Sequence, residues 1–189
     1  MGSVNYFDAK LFNSSVSGDL EGVLDALARG GRVAMRNPQG ATPLLAAAQN
    51  GHTDICGLLL AHGSNVNEME PESKMTALHT AAIRGHKAVV EALLSWGAIV
   101  DPQNHGGRTP LFAACQEGHL ACLLALLKAG ASVSMPNNHG DLPIYFAAQE
   151  NRVEIVTTLL DYGCSPDMVS FCDNTLTTII TPFLLSAEP

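Results

Sequence analysis

Aromatic residues are scarce in this chain: one tryptophan, three tyrosines and six phenylalanines among 189 residues. Such a composition suits thin helices packed at close range rather than layers wedged apart by rings. Basic residues are also few, with 10 Lys and Arg against 18 Asp and Glu and a net charge of -8, so no nucleic-acid footprint is expected. The chain lacks any run of about 20 apolar residues, the length a membrane-spanning helix needs. It also lacks a charged-then-apolar opening of the secretory kind. Tyr6 stands where a myristoylation signal wants Ser or Thr. The five cysteines, Cys56, Cys115, Cys122, Cys164 and Cys172, form no C-x-x-C pair and no spaced His/Cys group, so no metal is expected. Their odd number fits a reducing compartment, and the expectation is an intracellular protein of the cytoplasm, with the nucleus open. No glycine-rich phosphate loop, Ser-His-Asp or Cys-His spacing, or recurring carboxylate pair is present, so no catalytic residue and no cofactor are assigned.

What the chain does have is internal repetition. The stretch Thr76–Ala98, TALHTAAIRGHKAVVEALLSWGA, has the grammar of two short antiparallel helices joined at Gly85-His86. Thr42-Pro43-Leu44, Thr76-Ala77-Leu78, Thr109-Pro110-Leu111 and Pro143-Ile144 open successive units at spacings of 34, 33 and 33 residues. Gly51-His52, Gly85-His86, Gly118-His119 and Asn151-Arg152 keep the same register. So do Leu59-Leu60, Leu93-Leu94, Leu126-Leu127 and Leu159-Leu160, each followed two residues later by glycine. Three landmarks holding one period mark a repeat architecture.

On these residues the chain resembles the ankyrin-repeat family over roughly residues 8–167. The fold this implies is an all-α solenoid of stacked antiparallel helix pairs with β-hairpin tips. The expected organisation is a flexible lead-in over 1–7, an N-terminal capping repeat over 8–39, repeats at 40–73, 74–106, 107–139 and 140–167, and a partial C-terminal capping repeat or irregular tail over 168–189. Asn13, Ser14 and Ser15 stand where internal units carry alanine, as suits an end unit with one face in water. Helices are expected near 43–50 and 53–62, capped by Thr42 with Pro43 at the first helical position. In the fourth unit Leu142 replaces the capping threonine, and Asp141 is expected to take over; Asn151 suits a left-handed turn position. Tips are expected over 31–41, 64–75, 98–108 and 131–141, the second holding one extra residue within Glu68–Lys74. Beyond it, Thr175 could cap a helix over Leu176–Thr181, and Phe183, Leu184 and Leu185 raise homo-oligomerisation through the C-terminal face, the chain otherwise being expected as a monomer. Cys56 and Cys122 read as small core hydrophobes at one shared helix position, with Val89 and Ile155 in other units.

The resemblance implies a non-enzymatic adaptor, scaffold or inhibitor that binds a peptide or folded domain of another protein. The alternative it leaves is a partner-targeting fragment of a larger protein, such as a ubiquitin-ligase adaptor. Solenoid curvature would make a groove from the tips and the outward edge of each first helix. The residues that vary there are the candidate contacts. From the first helices come Leu45, Phe112 and Tyr145, then Gln49, Ile83, Arg84, Gln116 and Gln149; from the tips come Met35, Met69, His105, Met135 and His139. Ile83 stands where the other internal units carry glutamine, and Phe112 and Tyr145 supply aromatic anchors of the kind that dominate interfaces. The resemblance implies that His52, His86 and His119 tie the turn to neighbouring backbone. His79, beside the capping Thr76, reads as structural too.

Overall fold

The computed structural model describes residues 5–165. Among these, ten helices follow in order: α1 (Tyr6–Ser17), α2 (Leu20–Ala28), α3 (Pro43–Asn50), α4 (Thr53–Ala61), α5 (Ala77–Arg84), α6 (Lys87–Ser95), α7 (Pro110–Glu117), α8 (Leu120–Lys128), α9 (Pro143–Gln149) and α10 (Val153–Asp161). Each odd-numbered helix pairs with the even one after it and stacks on the next odd one, giving two layers. Helices of seven to nine residues, as α2 to α10 are, hold little stability alone, so packing between units sustains them.

The core is a set of columns running through the stack. Leu44, Leu78, Leu111 and Ile144 line the odd layer at no more than 2% exposure, while Leu59, Leu93, Leu126 and Leu159 fill the layer behind at 0%. Ala47-Ala48, Ala81-Ala82 and Ala147-Ala148 are buried between odd helices. Their small side chains let these backbones approach closely, and neighbour contacts are correspondingly more extensive in the odd layer than in the even one. A stack closer on one side bends toward that side, so the odd layer forms the inner face. Cys56 and Cys122 are core hydrophobes, but not at one position: Cys56 aligns with Val90 and Leu123, and Cys122 with Val89 and Ile155.

Local chemistry sets the helix ends. Thr42, Thr76 and Thr109 accept hydrogen bonds from the amides of Leu45, His79 and Phe112 at 3.3, 3.4 and 3.2 Å. No side chain caps α9 behind Leu142, and the expected substitution by Asp141 is replaced by a different bond: its carboxylate accepts from Asn137 Nδ2 at 3.0 Å. The turns between paired helices need a left-handed residue, which Gly51 supplies at φ 79° and Asn151 at φ 53°. Gly51 is required twice over, because a Cβ there would stand 2.8 Å from His86 Nδ1. That ring donates onward to Gln49 O at 3.1 Å, and His52 and His119 reach Val16 O and Ile83 O at 3.1 and 3.0 Å. The histidines therefore staple each turn to the unit before it. The end unit begins earlier than expected, with Asn5 capping a helix that opens at Tyr6.

The tips are not β-hairpins: no strand occurs among the described residues. A hairpin pair exchanges two backbone bonds, and here only one forms. Asn37 N donates to Ala41 O at 3.0 Å, but the returning Ala41 N–H goes to Asn37 Oδ1 at 2.8 Å. The same diversion occurs at Asn104 with Arg108 and at Asn137 with Asp141, each at 3.0 Å. In the second tip Ser73 Oγ takes the Met75 N–H at 3.1 Å. A side-chain oxygen that captures the second amide closes a tight turn and ends the ladder before it starts.

The expectations for 168–189, including the capping helix, the apolar Phe183–Leu185 run and Cys172, lie outside the described residues.

Candidate functional site on the inner helix layer

Two positions on each odd helix face out from the inner layer, and a third, buried at Ala46 and Ala113 and half-buried at Thr80 and Phe146, lies at its margin. In α3 to α9 they are occupied by Ala46, Thr80, Ala113 and Phe146; by Gln49, Ile83, Gln116 and Gln149; and by Asn50, Arg84, Glu117 and Glu150. Gln49, Gln149 and Arg84 are exposed, and Ile83 and Gln116 are half-buried. Ile83 thus offers an apolar side chain on a mostly polar row.

The candidates expected immediately after each opening leucine face the other way. Phe112 is 0% exposed and Leu45 is 5% exposed, so neither can touch a partner. Both are enclosed by the stack, Phe112 packing against Phe146 of the next unit with ring centroids 5.1 Å apart. Met35, at 8%, is likewise buried beneath the first tip, beside a shallow groove of about 280 Å³ lined by Phe12 and Pro38. Tyr145 stays half-buried at the edge. Along the tips Met69, His105 and His139 are exposed and Met135 is half-buried.

In the third and fourth units several side chains converge. Phe112 and Phe146 have ring centroids 5.1 Å apart, and Tyr145 meets Phe146 edge-on at 5.3 Å. The Arg108 guanidinium lies 5.5 Å from the centroids of both phenylalanines. Gln116 Oε1 accepts from Arg108 Nη1 at 2.9 Å and holds its orientation. Phe146 and Arg108 were missed by the sequence reading. The signal for Phe146 was available, since 33-residue spacing aligns it with Ala113. No comparable signal marked Arg108, whose backbone is fixed from the unit before.

That fixing is done by His79. Its Nδ1 accepts the Thr76 N–H at 3.2 Å, so the proton sits on Nε2, which donates to Arg108 O at 2.9 Å. The ring is fully buried. Burial holds its pKa below the usual histidine value of 6.5, against the opposing pull of the Arg108 carbonyl. The imidazole is a neutral bridge between units.

Neighbouring tips are also tied together. His105 N donates to Ser73 O at 2.8 Å, and Asn138 N to Gly106 O at 3.0 Å. Pro71, at the matching place, has no N–H to give. There Arg36 makes the link, donating to Gly40 O at 2.6 Å and Met69 O at 3.3 Å and pairing with Glu68. Gln103 bridges its own tip and the next in the same way, through Gly107 O at 3.0 Å and Pro136 O at 3.3 Å. Of the tip glutamates Glu68, Glu70 and Glu72, two are thereby engaged, Glu68 by Arg36 and Glu70 by Ser73.

Among the described residues no group of three or more His, Cys, Asp or Glu could hold a metal. The buried thiols are poor nucleophiles: burial pushes Cys56 up to about 12 and Cys122 up to about 11, and raises Cys115 and Cys164 as well. No helix among the described residues is long and apolar enough to cross a membrane.

Helix pairs stapled unit to unit define a helical repeat solenoid with one preformed inner face. Ankyrin repeats, in a family model of three copies, match residues 11–104 and again 97–170. The chain belongs to the ankyrin-repeat family. It is similar to the ankyrin repeat and KH domain-containing protein mask of Drosophila melanogaster, 41% identical over 87 residues that cover 46% of this chain and 2% of that protein. Protein HOS4 of Saccharomyces cerevisiae is 34% identical over 103 residues, covering 54% of this chain and 9% of its own length. A putative ankyrin repeat protein, FPV014 of fowlpox virus, is 41% identical over 80 residues, 41% of this chain and 18% of that protein. The match therefore spans a small part of each relative. The described residues have the architecture of an ankyrin-repeat module.

Proposed function

We propose that the inner layer is the binding face and that Ile83, Tyr145 and Phe146 form its apolar contacts, with Gln49, Arg84, Gln116 and Gln149 around them and Met69, His105, Met135 and His139 at the tip rim. The observation that carries this reading is the convergence of two half-buried rings, Tyr145 and Phe146, on a face whose exposed side chains are mostly polar. A face held rigid by histidine staples and tip bonds loses little entropy when a partner docks. Phe112, Leu45 and Met35 support that face from beneath.

The partner is a peptide or folded domain of another protein. The chain acts as a monomer in a reducing, intracellular setting, a reading supported by four buried free cysteines among the described residues. Replacing Ile83, Tyr145 and Phe146 together by alanine is expected to weaken partner binding at least tenfold, measured by calorimetry, with the helical circular dichroism unchanged. Unaltered affinity in that variant would remove the inner face from consideration.

A further inference from the structure

Arg108 differs from every other basic side chain in this molecule. Five of the ten, Lys10, Arg29, Arg32, Arg36 and Lys87, are held in ion pairs. Lys74, Arg84 and Lys128 project into solvent, and Arg152 lies over Gly118 at a turn, outside the groove. Arg108 alone is half-buried on the inner face and forms no ion pair among the described residues. Its guanidinium lies 5.5 Å from the ring centroids of both Phe112 and Phe146, and with those centroids 5.1 Å apart the two rings lie to the same side of it. One nitrogen is committed to Gln116 Oε1 at 2.9 Å. The edge formed by Nε and Nη2 is left with no acceptor among the described residues. Two parallel N–H groups on a stacked, immobilised guanidinium match the two oxygens of a carboxylate.

Resting on the inner-face reading above, we infer that Arg108 is a receptor for a single Asp or Glu side chain of an extended partner peptide, with a neighbouring apolar residue of that peptide seated on Phe146. The occupant is an internal side chain rather than a chain end, because inner helices continue on both sides of α7, with α5 before it and α9 after it. It is one carboxylate and not an acidic run. Glu117 and Glu150 are exposed on the same face, Asp141 stands one unit on at the register of Arg108, and the net charge of -8 repels a polyanion. Close pairing at a half-buried guanidinium outweighs that diffuse repulsion for one charge only.

The test uses the full chain and a random twelve-residue peptide library displayed on phage. Selected binders are expected to share one position at which Asp or Glu predominates, next to an apolar residue. For the strongest binder, resynthesised, exchanging that acid for its amide should weaken binding to the wild type at least tenfold and leave binding to Arg108→Gln unchanged. Arg108→Lys, which keeps the charge and loses the flat two-pronged edge, should recover only part of the loss, and Arg108→Glu should select Lys or Arg at the same position. Circular dichroism establishes that each variant is folded. Binders without an acidic position, or an equal loss on wild type and Arg108→Gln, overturn the carboxylate receptor while leaving the groove in place, provided Ile83→Ala and Phe146→Ala still weaken them. Binders indifferent to Ile83→Ala and Phe146→Ala, or no binders at all, overturn the groove and the receptor together.

Discussion

Lys74 holds φ at 56°, in the left-handed region where the other tips place Gly40, Gly107 and Gly140. A side chain there is strained by about 1–2 kcal/mol, which the greater chain entropy of unfolded glycine partly offsets. Lys74→Gly is therefore expected to raise stability by about 0.5–1 kcal/mol, read as a shift of the urea midpoint. Gly57 presents the opposite case: it lies inside α4 with nothing near a Cβ added to it. Gly57→Ala should stabilise by about 1 kcal/mol in the same measurement. His79 gives the molecule a pH dependence of known sign. With the folded pKa below 6.5, the unfolded chain binds the extra proton, so the contribution of the neutral bridge is fully present above about pH 6.5 and is lost as pH falls through the folded value. Urea midpoints from pH 7 to pH 5 should fall further for wild type than for His79→Leu, whose side chain matches Leu45 at that position. Parallel curves would refute the assignment.

At the scale of elements, helix, turn and tip each draw stability from the next unit. α6 exists because Val89, Val90 and Leu93 are buried between its neighbours. Leu93→Ala should cost about 2–5 kcal/mol, seen as a lower denaturation midpoint. The opening motifs and the Gly-His turns were legible in the sequence because each is a local device: a threonine oxygen within reach of an amide, or a residue allowed at positive φ. The tips were legible as turns and misread as hairpins. Asn37, Asn104 and Asn137 decide that outcome, and their carbonyl oxygens compete for amides that a regular pattern would assign to a ladder. The burial of Phe112 was misread for a related reason. A period identifies which residues are equivalent, but an error of one position rotates a side chain about 100° from groove to core.

For the whole molecule, stability is a chain of neighbour interfaces rather than one centre. Leu11 in α1 and Leu44 in α3 are equally buried, at 0% and 2%. Leu11 belongs to an end unit that packs on one neighbour, whereas Leu44 stands between two. Leu11→Ala should release residues 5–33 in an early step, visible as amide exchange confined to that segment, while Leu44→Ala should loosen units on both sides. The same linear design carries the inner face. Its rigidity comes from links between units, and Arg108 takes its backbone position from His79 in the unit before and one of its stacking rings from the unit after.

The chain's own sequence determined the period, the helix pairs, their caps and turns, and the membership of the core columns, because each depends on residues close together or repeated at one spacing. Only tertiary structure decided which face curves inward, which ring is buried and which is offered, and where a cation comes to rest beside two aromatics. Those outcomes depend on distances between side chains about 30 residues apart, set by how closely alanine-lined helices approach. Phe112 and Phe146 are the same letter, and their roles diverge because one is enclosed by the stack and the other stays half-buried at its inner surface.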